Sequence, residues 1–218
     1  MSSELAGRTA MVVGAEFAAG AAIALALAEA GADVAVCALH PDESVLRSRK
    51  VKRAIEGMGR RSAEYVMDVM LGRNVQVTTR QVAREMGGLD IVVSAAELPF
   101  EGPLDRITET DLARVVALNF SSHVFITRTA AGELARNEAG GSVLIATRRI
   151  DERAAGRAVF HAAQAGARQL VHEAARELGE RGIRVNGLAV GEASNEAIGD
   201  AALRLVSGDD NGQVIAVG

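Results

Sequence analysis

Residues Val13 to Gly20 read V-G-A-E-F-A-A-G and join an apolar run to an Ala-rich stretch. Glycines so placed make the tight turn from a strand into a helix, and the N-terminus of that helix attracts phosphate. Glu16 adds a carboxylate to the same field. Farther along, residues 160–166 read F-H-A-A-Q-A-G. Phe160 has no proton to give, and the Gln164 amide carries no charge to shift a neighbour's pKa. His161 could move a proton. Helix neighbours point about 100° apart, so His161 faces away from Phe160, and its plainer reading is a solvent or interface residue. The segment R-R-I-D-E-R (148–153) sets three arginines beside two acids; it reads as a solvated ion-pair cluster, a subunit contact or an anion site. The single cysteine, Cys37, lies in an apolar run and reads as a buried core residue, so an intrachain disulfide is excluded. No metal site is suggested.

The elements that must position these residues alternate along all 218 residues. Strands are expected at 8–14, 33–39, 63–69, 89–95, 141–147, 183–190 and 212–218. Helices are expected at 18–31, 42–58, 73–86, 109–136, 155–180 and 195–206. Only the loop near 98–105, with Pro99 and Pro103, is irregular. The strands are nearly continuous apolar runs, as strands covered on both faces should be. Regular alternation implies right-handed crossovers, hence a Rossmann-like, doubly wound parallel α/β sheet in three layers, α/β/α. One domain over 1–218 is expected, without linker or repeat. Ligands of such folds bind beyond the carboxyl ends of the strands. A formal charge of −4 argues against a broad nucleic-acid surface. The run near residues 18–36 is too interrupted to span a bilayer. The N-terminus does not read as a targeting segment, so a cytoplasmic protein without a membrane partner is expected.

The chain resembles the short-chain dehydrogenase/reductase family, close to its reductases of 3-oxoacyl thioesters. The segments that carry the likeness are A-L-A-E-A-G-A-D-V-A-V, D-V at 68–69, G-G-L-D-I-V-V, L-N at 118–119, E-L-G-E-R-G-I-R-V-N-G-L-A-V-G and G-Q-V-I-A-V. The family's first loop is T-G-x-x-x-G-x-G. Gly14 and Gly20 match it, while Ala18 replaces the glycine that lets backbone approach pyrophosphate. Its fourth strand ends N-N-A-G, and here the sequence is Ser94-Ala95-Ala96-Glu97. The ribose-reading positions hold Ala38 and Leu39, without the Asp of NAD users or a basic residue of NADP users. Asp68 matches a residue used near adenine and equally suits a loop cap. Glu16 and Glu97 beside a pyrophosphate would each weaken binding by about 1–3 kcal/mol.

The resemblance assigns catalytic positions to Asn, Ser, Tyr and Lys. Asn119 matches the first. The Ser falls at Thr147 counting back from residue 160, or at Arg148 counting from the glycines at 140–141. Tyr becomes Phe160 and Lys becomes Gln164. After the sixth strand, P-G becomes Val190-Gly191, and Asn195 stands where a Thr often contacts nicotinamide. The substrate lid is shortened to about residues 191–200. Helices 109–136 and 155–180, which form a four-helix interface in family members, remain. Three expectations follow. The first is a non-catalytic subunit, without cofactor, tetrameric with a homologous active subunit in a dehydrogenase of acyl-CoA metabolism. The alternative is an NAD(P)-dependent oxidoreductase with displaced residues, with Arg148 or His161 as acid. The third is a regulatory binder with a pocket near Gly14, Phe17 and Asn119.

Overall fold

A computed structural model describes residues 4–149 and 155–218. Seven strands form one sheet in the order β3-β2-β1-β4-β5-β6-β7. They are β1 Thr9–Val13, β2 Asp33–Ala38, β3 Ser62–Val66, β4 Ile91–Ser94, β5 Gly141–Arg148, β6 Ile183–Val190 and β7 Val214–Val217. Every pairing is parallel. The sheet is the expected Rossmann-like one, and its central strands are buried on both faces, as their unbroken Val, Ile and Ala content requires.

Seven helices connect the strands: α1 Ala18–Glu29, α2 Glu43–Gly57, α3 Gly72–Met86, α4 Glu109–Val116, α5 Ser122–Leu134, α6 Ala158–Gly179 and α7 Asn195–Ser207. One apolar layer packs α1, α2 and α7 on the sheet through Ile23, Leu27, Ile55, Ala202 and Leu205. The opposite layer packs α3, α5 and α6 through Val82, Ile126, Leu134 and Val171. Local chemistry sets the ends of the helices. Asp42 caps α2 through Ser44 N–H, and Thr108 caps α4 through Asp111 N–H. Gly87 closes α3 in the left-handed conformation.

The single helix expected over 109–136 is interrupted. Residues Ala117–Ser121 form a π-helical turn between α4 and α5. Asn119 lies inside it and donates through Nδ2 to the Val115 carbonyl four residues back, at 2.9 Å. That bond gives the Val115 carbonyl a side-chain donor where the helix widens. The third expected strand is also shorter: β3 stops at Val66 and leaves Asp68 in the following loop. Of the R-R-I-D-E-R segment, residues 150–153 lie outside the described residues. Among the described residues no helix is long and apolar enough to cross a membrane.

Candidate functional site

Strand order reverses direction between β1 and β4, which opens a crevice at the carboxyl ends of the strands. The turn from β1 into α1 forms one side of it. Gly14 has φ +86°, and a Cβ there would lie 2.5 Å from the Ala95 carbonyl oxygen. A Cβ on Gly20 would collide with the Gly14 carbonyl. Both glycines are therefore required by packing of the turn itself. Ala18 opens α1 and is exposed to the crevice.

The two carboxylates expected to repel a pyrophosphate both have partners within the fold, and Glu97 lines the crevice. Glu16 is buried, and its Oε1 accepts from Leu39 N–H at 2.8 Å, just past the end of β2. Burial raises its pKa, and the Leu39 hydrogen bond opposes that rise. Its other oxygen, Oε2, has no partner. Glu97 pairs with Arg148, with Nε to Oε2 at 3.3 Å and a second bond from Nη2 to Oε1. Strand register explains this pair. Ser94 of β4 lies opposite Ile145 of β5, so the residues three farther on, Glu97 and Arg148, leave the sheet side by side. Glu97 thus has a cationic partner beside it.

The positions that the resemblance marked as catalytic do come together. Gln164 is 1% exposed. Its Oε1 accepts from Arg148 N–H at 2.8 Å, and its Nε2 donates to Asn119 Oδ1 at 3.0 Å. Asn119 Oδ1 also accepts from Leu98 N–H at 3.0 Å, while its Nδ2 donates to the Leu98 and Val115 carbonyls, both at 2.9 Å. Every polar atom of both amides is bonded inside the protein. Phe160 is buried, and its ring packs at 46° to the ring of His161, with centroids 5.9 Å apart. Thr147 and Arg148 both line the crevice. Thr147 is the buried one, and its Oγ1 has no partner, whereas the Arg148 side chain is committed to Glu97.

Val190, Gly191 and Asn195 close the crevice from the β6–α7 side. Only the four residues 191–194 separate β6 from α7, so no lid element intervenes. The cavity that remains is about 120 Å³. Ala38 and Leu39 are buried, and the Leu39 N–H is taken by Glu16. The Asp68 carboxylate accepts from Met70 N–H at 3.0 Å, which makes it a loop cap. Among the described residues no three His, Cys, Asp or Glu side chains cluster as metal ligands.

One polar pair was not legible beforehand. Ser94 Oγ and His123 Nδ1 are 2.7 Å apart, and both residues are fully buried. Burial pushes the His123 pKa down to about 4. Its Nε2 has no partner. The two residues are 29 apart in sequence and meet only where α5 crosses β4.

Comparison with other proteins fits this arrangement. The profile of the short chain dehydrogenase family matches residues 8–201. The chain is similar to the hydroxynaphthalene reductase of Aspergillus fumigatus, 31% identical over 94% of this chain and 74% of that one. It is also similar to an L-rhamnose 1-dehydrogenase (NAD(P)(+)) of a Sphingomonas species, 30% identical over 88% of this chain and 75% of that one. Among solved structures, a short chain dehydrogenase of Burkholderia cenocepacia in complex with NADP superposes with a TM-score of 0.88 at 26% identity, covering 98% and 97% of the two chains. A dehydrogenase/reductase of Sinorhizobium meliloti superposes with a TM-score of 0.89 at 26% identity, covering 98% and 94%. Sheet order, the glycine turn and the hydrogen-bonded meeting of Asn119, Gln164 and the Arg148 backbone agree with these matches, and the chain belongs to the short-chain dehydrogenase family.

Proposed function

We propose that this chain is a member of the oxidoreductase family that lacks the Tyr-dependent redox step and acts as a non-catalytic subunit. It would assemble with a homologous active subunit in a hetero-oligomeric dehydrogenase, with acyl-CoA metabolism as the expected setting. The observation that carries this reading is the closed network of Gln164, Asn119 and the Arg148 backbone beside Phe160. Reduction of a carbonyl needs a proton for the developing alkoxide, and such catalysis supplies roughly 10²–10⁴-fold in rate. None of these side chains has a proton to give near neutral pH. Ala18 at the opening of α1 and the Glu97–Arg148 pair on the crevice wall also speak against a nicotinamide dinucleotide.

An apolar groove on α4 and α6 supports the assembly. It is lined by Leu104, Leu112, Val116, Phe120 and Val159, with Leu104 64% and Leu112 42% exposed. Exposed leucines in one groove suit burial against another subunit. Co-purification tests the reading: the chain is expressed with and without a paralogue that carries Tyr and Lys at the positions of Phe160 and Gln164. A mixed tetramer supports it. A stable homotetramer that ignores the paralogue refutes it.

A second reading is favoured by the relatives, whose names describe reductases and dehydrogenases. In it the chain is an NAD(P)-dependent oxidoreductase with a displaced acid, with Arg148 or His161 in that role. It requires saturable binding of NADH or NADPH, seen as a change in nicotinamide fluorescence. Absence of binding at millimolar concentration ends it.

A further inference from the structure

We propose that the layer of α1, α2 and α7 is an interface with a second copy of this chain, in which the basic face of α2 meets the acidic face of α7. The chain carries a formal charge of −4, yet α2 holds five cations, Arg47, Arg49, Lys50, Lys52 and Arg53, against two acids. Both lysines of the protein are among them. The opposite sign gathers on α7 and its flanks. Residues 192–210 hold Glu192, Glu196, Asp200, Asp209 and Asp210 against the single cation Arg204, and all six are exposed.

The charges central to each face lack partners. Arg49 pairs with Glu64 at 3.0 Å and Lys52 with Glu56 at 2.6 Å, while Arg47 reaches Glu43 only at 3.9 Å. Among the described residues Lys50 and Arg53 have no acidic partner, and Glu196 and Asp200 have no basic one. Leu46, 57% exposed, shares the stripe of Lys50 and Arg53 at i, i+4 and i+7. Lys50 and Arg53 sit one turn apart, as do Glu196 and Asp200, and like charges at that spacing repel. An opposite charge brought beside either pair therefore stabilises it.

The two faces cannot neutralise each other within one copy. α2 packs on β2 and β3, and α7 on β5 and β6, with α1 between them. In the sheet order β2 and β5 are three strand spacings apart, about 14 Å at about 4.8 Å each. That exceeds the Debye length of about 8 Å at physiological ionic strength. The intervening α1 bears no charge before Glu29. Every strand pairing is parallel, so the helices of this layer run in one direction. A twofold axis along α1 consequently sets α2 of each copy over α7 of the other. The same charge contact is then made twice, and the dimer is closed. This contact uses the opposite layer from the α4–α6 groove. It leaves that groove to the homologous subunit and does not depend on the assembly reading.

Sedimentation velocity of the whole chain tests the contact, in a Leu112→Glu background that closes the α4–α6 groove to self-association. A reversible dimer is expected at about 0.05 M salt, and its dissociation constant should rise at least tenfold at about 0.5 M. Lys50→Glu with Arg53→Glu should leave a monomer, and so should Glu196→Lys with Asp200→Lys. An equimolar mixture of these two variants should dimerise again, because both contacts then join opposite charges. Glu177→Lys with Glu180→Lys makes the same change of net charge at the end of α6. That chain should dimerise as the native one does, and it should rescue the α2 variant less than the α7 variant does, since only one contact is then complementary. All these positions are exposed, and far-ultraviolet circular dichroism checks that each variant is folded. A monomer at low salt overturns the proposal, as does a dimer indifferent to salt. A mixture of the α2 and α7 variants that stays monomeric does so too, and so does equal rescue by the α6 variant. Co-purification with the homologous subunit is untouched by these outcomes and tests the assembly reading alone.

Discussion

Replacing Gln164 by Leu removes two hydrogen bonds from the interior and changes side-chain shape little. The Arg148 N–H loses its acceptor at 2.8 Å. Leaving a buried donor unpaired costs about 1–3 kcal/mol. Asn119 Oδ1 loses the Gln164 donor but keeps Leu98 N–H, a smaller loss of about 0.5–1.5 kcal/mol. The extra apolar burial of Leu returns roughly 1 kcal/mol. A net loss near 2 kcal/mol is expected, which lowers Tm by about 4–8 °C in a domain of this size. The chain has no Trp and one Tyr, so urea unfolding followed by far-ultraviolet circular dichroism is the suitable assay. Gln164→Glu gives a sharper test. Glu keeps the acceptor for Arg148 N–H and loses the donor toward Asn119 Oδ1. Asn119 cannot rotate its amide without breaking both Nδ2 bonds. The new carboxyl therefore has its pKa raised in the folded state by burial and by the facing oxygen. A raised pKa means that the folded state holds more protons, so Gln164→Glu gains stability relative to the native chain as pH falls from about 7 to 5. If Gln164→Leu lies within 0.5 kcal/mol of the native chain, or the Glu variant shows no such recovery, the network contributes nothing and the reasoning fails.

Four further outcomes follow from the same geometry. His123 titrates at about 4 when folded and about 6.5 when unfolded, so stability should fall by up to roughly 3 kcal/mol as pH drops through that window and then level off; His123→Gln should remove that part of the slope. Gly14→Ala should fail to give soluble protein or lose several kcal/mol, because its left-handed φ and the Ala95 carbonyl both exclude a Cβ. Glu97→Ala should cost only about 0.5–1 kcal/mol, since the Arg148 side chain is 47% exposed, and the loss should shrink in high salt. Phe160→Tyr with Gln164→Lys should leave nicotinamide fluorescence unresponsive, because the Glu97–Arg148 pair and Ala18 remain; enhancement on addition of NADH would contradict the reading of the crevice.

The β–α alternation, the parallel order and the glycine turn were legible because they are written in local periodicity. Apolar runs bounded by glycines specify strands covered on both faces. The lack of a phenol and an ammonium at residues 160 and 164 was equally plain, because residue identity decides it alone. The break at Ala117–Ser121 was less accessible. Its sequence continues a helical pattern, and the π turn is supported by bonds that Asn119 makes to a loop and to the preceding helix.

Side-chain direction belongs to the tertiary structure. From sequence, Glu16 and Glu97 were two acids beside a phosphate site. In the fold, Glu16 turns toward Leu39 N–H because β2 ends beside the β1–α1 turn, and Glu97 meets Arg148 because β4 and β5 run in parallel register. The Ser94–His123 pair and the size of the crevice have the same origin. The sequence by itself determined which side chains stand at residues 160 and 164 and which elements carry them. Only the packed sheet decided where each charge found a partner, because hydrogen bonds and ion pairs form between residues that the crossovers bring together from distant parts of the chain.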